Sequence, residues 1–128
     1  MSEITPIATP APAPAPTPML TRDQILDAQD RVIETLGIPE WGGSLCVRSL
    51  TAGERENARR QAKDNPDTPA AAFFAVASAC DAQGNPLFKD TDGFRLADKN
   101  ARAVERIADR ALRLSSIGEE AKDAAKNG

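Results

Sequence analysis

Residues 38–55 are Ile38-Pro39-Glu40-Trp41-Gly42-Gly43-Ser44-Leu45-Cys46-Val47-Arg48-Ser49-Leu50-Thr51-Ala52-Gly53-Glu54-Arg55. Pro39 disfavours a helical conformation at the residue before it, and the Gly42-Gly43 pair permits the chain to reverse direction. The next six residues contain Leu and Val in partial alternation, which is typical of a short strand. Thr51 and Glu54 have the spacing of a capping box at a helix start. The stretch therefore predicts a turn, a strand and a helix, in that order.

The same stretch, with three others, resembles the tail assembly chaperones of long-tailed, siphovirus-like bacteriophages. Its matching features are the Ile-Pro-Glu-Trp-Gly-Gly turn, the Val-Arg-x-Leu strand and the Thr-x-x-Glu-Arg helix start. Three further matches follow in the expected order: Leu20-Thr21-Arg22-Asp23-Gln24-Ile25-Leu26, Cys80-Asp81-Ala82-Gln83-Gly84-Asn85-Pro86-Leu87-Phe88, and Ala111-Leu112-Arg113-Leu114-Ser115. The resemblance covers the chain from about Leu20 onward, and it depends on the order and spacing of the motifs.

This resemblance implies a non-catalytic chaperone that coats the long tape-measure protein in the host-cell cytoplasm. The chaperone would keep that protein soluble until tail-tube subunits replace it, and it would be missing from mature virions. The implied partners are the tape-measure protein, a frameshift-extended form of this chain, and the major tail-tube protein. The alternative from another class is a minor structural protein for tail completion or connection, which would remain in the virion.

Composition predicts one small domain. The chain has 128 residues, which suits one domain of ordinary size. Its hydrophobic fraction of 41% overstates the core, because much of that fraction is alanine. Isolated monomers with so few large apolar side chains are only marginally stable. We therefore expect weak homo-oligomerisation to add stability.

Charge and hydropathy limit the classes of partner. The net charge is −3, so the whole chain lacks the positive field on which nonspecific nucleic-acid binding depends. No apolar run approaches the roughly 20 residues that span a bilayer, and the N-terminus lacks the pattern of a signal peptide. We expect a cytoplasmic protein that binds neither nucleic acid nor membranes.

Three segments follow from the distribution of proline and polar residues. Residues 5–18 consist almost entirely of Pro, Ala and Thr, a composition that favours extended, solvated chain. We predict a disordered leader over residues 1–19, a folded domain over residues 20–115 and a polar tail over residues 116–128. The leader is either a plain solvated tail, which composition favours, or an arm that docks in an aromatic groove.

Two alternatives exist for the start of the domain. Thr21 and Gln24 form a capping box that opens a helix. That helix could extend to Gly37, or the chain could turn near Asp30 and run as a strand over residues 32–38. The turn at residues 39–43 favours the second alternative, a hairpin with residues 45–50. The helix after Thr51 is predicted to end near residue 64.

The middle and end of the domain predict a second hairpin and one long helix. Residues 70–79 are alanine-rich, which favours helix, but the turn at residues 81–86 and the family resemblance favour a strand beginning near Phe73. The fold class is therefore α+β, with a small antiparallel sheet of two hairpins packed against helices. Residues 93–114 are predicted to be a single helix with one apolar stripe. Opposite charges lie four residues apart on its other side, in the pairs Asp98–Arg102 and Asp109–Arg113.

The chain offers little for catalysis. It contains no histidine and no tyrosine, so the commonest general base is missing and we predict no enzyme, no cofactor and no metal. Asp90-Thr91-Asp92-Gly93 resembles the start of a calcium loop but lacks the later ligands, and we interpret it as a turn. Cys46 and Cys80 are isolated in sequence, and we predict reduced thiols without chemistry.

The predicted partner-binding residues come from the matched stretch and from the last helix. They are Trp41, Arg48, Leu50, Glu54, Val104, Ile107, Ala111 and Leu114. An exposed tryptophan at a hairpin turn would anchor a protein partner, whereas a tryptophan folded over the sheet would enlarge the core, and the scarcity of aromatic residues favours the core. Small residues on the last helix suit either a sheet–helix contact or a subunit interface.

The last residues suggest a programmed frameshift. Members of the family are often made in two lengths, the longer one by a backward ribosomal slip near the end of the shorter frame. The codons GCA-AAA-AAC would encode Ala125-Lys126-Asn127 and would contain the slippery heptamer A-AAA-AAC. Other codons encode the same residues, which are also common in solvated tails.

Overall fold

The computed structural model describes residues 17–116. Most of the predicted leader and of the predicted polar tail lies outside these residues, and so does the Ala125-Lys126-Asn127 segment. Only the inner ends of the leader and tail are described. The chain forms two units that divide between Asp30 and Arg31, and each is described by itself. The three-part division of the chain stays a prediction.

Among residues 17–30 of the first unit, Arg22–Leu26 form a short helix, α1. Its predicted capping box is confirmed, because the backbone N–H of Gln24 donates to the Thr21 hydroxyl at 3.2 Å and the Thr21 N–H donates to the Gln24 side chain at 2.9 Å. The helix ends at Asp27 and does not continue to Gly37. The extended-helix alternative is therefore wrong.

The second unit begins with the predicted hairpin. Strands β1 (Ile33–Ile38) and β2 (Gly43–Arg48) are antiparallel. The single 3-10 turn Pro39–Trp41 joins them, followed by Gly42 at φ +74°, a left-handed conformation that glycine adopts without strain. The sequence signals for this reversal are confirmed.

Helix α2 (Ala52–Asp64) is confirmed at both ends. Its capping box is complete, since the Glu54 N–H donates to the Thr51 hydroxyl at 3.1 Å and the Thr51 N–H donates to the Glu54 carboxylate at 3.0 Å. Asn65 closes its last turn by donating through its N–H to the carbonyl of Gln61 at 3.0 Å.

The strand predicted near Phe73 is wrong, because residues Ala70–Ser78 form helix α3. This helix is apolar on nearly every side and packs between α2 and helix α5 (Ala101–Ser115). Alanine has the highest helix propensity, and its small side chain lets two neighbouring helices approach α3 closely. Local propensity therefore predicted this segment better than the family resemblance did.

The second hairpin is also wrong as a pair of strands, although its turn is confirmed. Strand β3 is only Ala79–Cys80 and pairs antiparallel with β2, which gives the sheet order β1-β2-β3. After the turn the chain returns through one isolated bridge, between Cys80 and Pro86. Asp81 organises the turn by accepting from the N–H groups of Gln83 and Asn85, each at 2.9 Å, and these hydrogen bonds, that from Asn85 foremost, lower the pKa of Asp81.

The predicted single helix over residues 93–114 is two helices, α4 (Gly93–Leu96) and α5. The break has a local cause, because the Asn100 side chain accepts from the N–H of Ala103 at 3.0 Å and caps α5. Asp98 consequently lies before the start of α5, and the predicted Asp98–Arg102 pair does not lie along one helix.

The core lies between one face of the sheet and helices α3, α4 and α5. Its main buried side chains are Leu36, Ile38, Val47, Ala72, Ala75, Val76, Ala79, Leu96, Ala103, Val104, Ile107, Ala111 and Leu114. Gly93 permits close packing, since a Cβ there would lie 2.8 Å from the ring of Phe73. The predicted α+β class, with helices against a small antiparallel sheet, is confirmed. No helix within residues 17–116 is long and apolar enough to cross a membrane.

We predict that Ile107→Asp abolishes the native fold, because Ile107 is 0% exposed and a carboxylate there has no partner. A cost of about 4 kcal/mol or more is a large share of the stability of a small domain. Arg102→Asp is the matched control on the exposed side of α5 and should change the unfolding free energy by less than about 0.5 kcal/mol. Equal urea midpoints for the two variants would contradict this orientation of α5.

Candidate partner-binding surface

The four predicted binding residues of the last helix face the core. Val104 and Leu114 are 4% and 7% exposed, and Ile107 and Ala111 are 0% exposed. Of the two alternatives for this stripe, the structure places it in the internal sheet–helix contact. In the folded chain these side chains therefore contribute to stability.

Arg48 and Glu54 lie together in a hydrogen-bonded network rather than on a free surface. The Arg48 side chain is 13% exposed and donates to the Ala77 carbonyl at 3.1 and 3.2 Å, to the Gly84 carbonyl at 2.9 Å and to Glu54 at 3.0 Å. It thereby joins β2 to the end of α3, to the turn after β3 and to the start of α2. The sequence singled out both residues but gave no signal of this shared role.

The Glu54 carboxylate has four hydrogen-bond donors. It accepts from the Thr51 N–H, from Arg48, and from both terminal nitrogens of Arg31 at 2.9 and 3.3 Å. Burial alone would raise the pKa of Glu54, but the hydrogen bond from Thr51 and the two guanidinium groups outweigh that effect and lower it. The carboxylate stays ionised at neutral pH and stabilises the junction of β1, β2 and α2.

Leu50 connects the hairpin to the end of α5. Its side chain packs against the core, and its N–H donates to the Ser115 hydroxyl at 2.8 Å. Ser115 in turn donates to the carbonyl of Ala111 at 2.7 Å. Leu50 is therefore placed as a structural residue, like Arg48 and Glu54.

Trp41 is the predicted residue that remains at the surface. Its side chain is 39% exposed in the turn of the hairpin and is not part of the core cluster, so the expectation that it enlarges the core is wrong. The neighbouring Glu40 fixes the turn to α5 through two hydrogen bonds from Arg106, at 2.7 and 2.8 Å. These hydrogen bonds lower the pKa of Glu40 to about 2. Trp41 is thus presented on a rigid turn.

Within residues 31–116, helices α3, α4 and α5 pack on one face of the sheet, and we call the opposite face the open sheet face. Alternation along the strands directs Ile33, Thr35 and Cys46 to this face, opposite to the buried Leu36, Ile38 and Val47. A shallow cavity of about 300 Å³ lies on it, lined by Thr35, Ser44, Leu45, Cys46, Cys80, Asp81, Ala82 and Leu87. Leu87 is 49% exposed and Ile33 is 40% exposed.

Other features of the described chain fit a partner less well. A cavity of about 310 Å³ along α5 is lined by charged side chains alone: Arg102, Glu105, Arg106, Asp109, Arg110 and Arg113. Arg106 and Arg110 are paired with Glu40 and Glu34, so neither sign of charge is in excess there. Among residues 17–116, no three His, Cys, Asp or Glu side chains are grouped to hold a metal ion.

The Asp90–Asp92 segment forms a 3-10 turn before α4, as predicted. Asp92 accepts from the N–H of Lys89 at 2.9 Å and so closes the turn.

Comparison with known proteins identifies similarity at the level of structure. No protein-family model and no curated protein matches the chain at the sequence level. The fold is similar to that of the bacteriophage HK97 tail assembly chaperone, with a TM-score of 0.57 and 19% sequence identity over 72% of this chain and 90% of that chain. The chain therefore has a tail assembly chaperone-like fold.

We predict that Arg48→Lys lowers the unfolding free energy by about 2–3 kcal/mol, because a single ammonium cannot reach Ala77, Gly84 and Glu54 together and leaves buried carbonyls unpaired. Arg59→Lys, on the exposed side of α2, is the matched control and should change it by less than about 0.5 kcal/mol. Urea unfolding followed by the fluorescence of Trp41 measures both. Equal urea midpoints for Arg48→Lys and Arg59→Lys would mean that the planar guanidinium group of Arg48 is not required for stability.

Proposed function

We propose that this chain is a phage tail assembly chaperone, which binds and coats the tape-measure protein and keeps it soluble in the host cytoplasm until the tail tube forms. The observation that carries the proposal is the similarity of the fold, over 72% of this chain, to a protein of that kind, together with the motif order along the chain. Neither the fold nor the motifs identify the partner. That the partner is the tape-measure protein is part of the proposal.

The open sheet face and Trp41 support a weak and displaceable contact. Apart from Asp81, whose carboxylate accepts from the N–H groups of its own turn, the side chains around the shallow cavity are uncharged, and they could pack against apolar groups of an extended or helical segment. A contact confined to this cavity of about 300 Å³ is small beside obligate interfaces, which bury about 2,000 Å² or more. Many copies along one long partner would add their small affinities, and each copy could still leave when tube subunits arrive.

The described chain offers the proposed partner a rigid platform. Trp41 lies on a turn fixed by Glu40 and Arg106, and the sheet behind the open face is anchored by Arg48. A rigid surface loses little conformational entropy on binding, so modest contacts suffice for association.

Co-expression with the tape-measure protein should raise the soluble yield of that protein, and co-purification should recover several copies of this chain per partner. Thr35→Asp, which places a charge at the centre of the open sheet face, should reduce recovery of the complex about tenfold. Trp41→Ala should reduce it as well, while Arg102→Asp should retain wild-type recovery.

Three results would contradict parts of the proposal. A wild-type chain that leaves the tape-measure protein insoluble would overturn the function, and normal binding by folded Thr35→Asp would exclude the open sheet face. Detection of the chain by mass spectrometry in purified virions would favour the structural tail component instead.

We further propose that the gene encodes a frameshift-extended form of the chain. The expectation concerns Ala125-Lys126-Asn127, which lies outside the described residues. The coding sequence should contain A-AAA-AAC or an equivalent heptamer near the stop codon, followed by an open overlapping frame. Sequencing that region tests it, and codons that cannot pair again after a one-base backward step would exclude the slip.

A further inference from the structure

Cys46 and Cys80 are neighbours in the sheet although 34 positions separate them in sequence. Strands β2 and β3 pair antiparallel with Cys46 directly opposite Cys80, so both side chains point to the same face. Both are free cysteines, and both line the cavity of the open sheet face. Thr35 lies on the other side of Cys46, with its hydroxyl 3.9 Å from the sulfur.

The surrounding hydrogen bonds show which of the two kinds of antiparallel pair Cys46 and Cys80 form, hydrogen-bonded or non-hydrogen-bonded. The Asp81 N–H donates to the Asn85 carbonyl at 2.9 Å, and the Leu87 N–H donates to the Ala79 carbonyl at 3.2 Å. Both neighbours of Cys80 thus direct these backbone groups away from β2. Because the direction alternates along a strand, the N–H and carbonyl of Cys80 itself point toward β2. Cys46 and Cys80 are therefore a hydrogen-bonded pair, whose Cα atoms lie about 5.5 Å apart in antiparallel sheets. That separation lies within the range of disulfides, roughly 4.4–6.8 Å.

Closing a bond requires a small movement. Cβ atoms of directly opposed residues lie about 4.5–5.5 Å apart, and a disulfide needs about 3.5–4.5 Å. The hydrogen bonds between β2 and β3 fix the separation of the two strands, so the Cβ atoms have to approach by about 1 Å through a local change in the twist of β3 against β2. Strand β3 is two residues long and is followed at once by the Asp81 turn, so a movement of this size does not disturb a long ladder.

The two thiols differ in access. Cys46 is half-buried and borders the cavity, whereas Cys80 is 0% exposed. Burial, with a smaller contribution from nearby Cys46, raises the pKa of the Cys80 thiol. Because Cys46 is the more accessible of the two, an oxidant from solvent reaches Cys46 first. Cys80 then reacts from inside the sheet.

We propose that Cys46 and Cys80 form a redox modification site, which closes to an intramolecular disulfide by exchange with a low-molecular-weight disulfide such as glutathione disulfide. The Cys46 thiolate attacks one sulfur of glutathione disulfide, forms a mixed disulfide and releases one glutathione thiolate. The Cys80 sulfur then attacks the Cys46 sulfur, the bond from Cys46 to glutathione breaks, and the Cys80 proton passes to the departing second glutathione thiolate. Two protein thiols are oxidised to one disulfide, and one glutathione disulfide is reduced to two glutathione molecules.

The bond would tie β2 directly to the segment that ends α3. It would also alter the floor of the open sheet face, because both sulfurs line its cavity. The site does not depend on the proposed function, since its formation requires only the folded chain and the oxidant.

The test treats the purified full-length protein with glutathione disulfide, blocks remaining thiols with N-ethylmaleimide and measures the intact mass. The wild-type monomer should lose two hydrogens and take up no maleimide, and a reductant should restore both thiols. Cys80→Ser should stop at the mixed disulfide, with one glutathionyl group on Cys46. Cys46→Ser should stay unmodified while folded, because Cys80 is inaccessible.

Several outcomes would overturn the proposal. The first is a wild-type protein that keeps two free thiols under conditions in which Cys80→Ser becomes glutathionylated. The second is a disulfide between two chains in place of the internal one. The third is a wild-type protein that stays glutathionylated. Circular dichroism of each variant shows that it is folded before oxidation, so a failure of folding is not mistaken for a failure of the reaction.

Discussion

The position of one guanidinium group determines how the elements of the domain meet. Arg48 leaves β2 on the face opposite to the helices and donates to the carbonyl of Ala77 at the end of α3, to Gly84 and to Glu54. A buried guanidinium without acceptors would be very costly, so the end of α3, the turn after β3 and the start of α2 must all bring an oxygen to it. Glu54 must in turn be capped by Thr51 and paired with Arg31, which fixes the chain on both sides of the hairpin.

The small core makes these polar contacts more important. Alanine supplies much of the buried surface in α3 and α5, and each alanine adds little hydrophobic stabilisation. It does permit close approach of helices, and the packing of Gly93 against the Phe73 ring has the same origin. The fold therefore gains its specificity from close contacts and from fixed hydrogen bonds, because large apolar side chains are few.

The two faces of the sheet have different roles. One face is covered by α3 and α5. The apolar stripe of α5, which by its sequence also suited a subunit interface, packs against this face. The other face keeps Ile33, Thr35 and Cys46 at the surface and has Trp41 at the adjoining turn. The exposed side chains of the hairpin are thus those that the core does not use.

The sequence by itself determined the features that local chemistry controls: the turn at Pro39 and Gly42, the capping boxes of α1 and α2, and the apolar stripe that buries Ile107. Each depends on residues within about four positions, so spacing alone is informative. It could also have revealed the cap at Asn100, which the long-helix prediction overlooked. Only the tertiary structure decided that α3 packs between α2 and α5, that Arg48 is bound inward, and that Cys46 lies opposite Cys80. Those outcomes depend on residues distant in sequence that meet across the sheet, and no local pattern records such pairings.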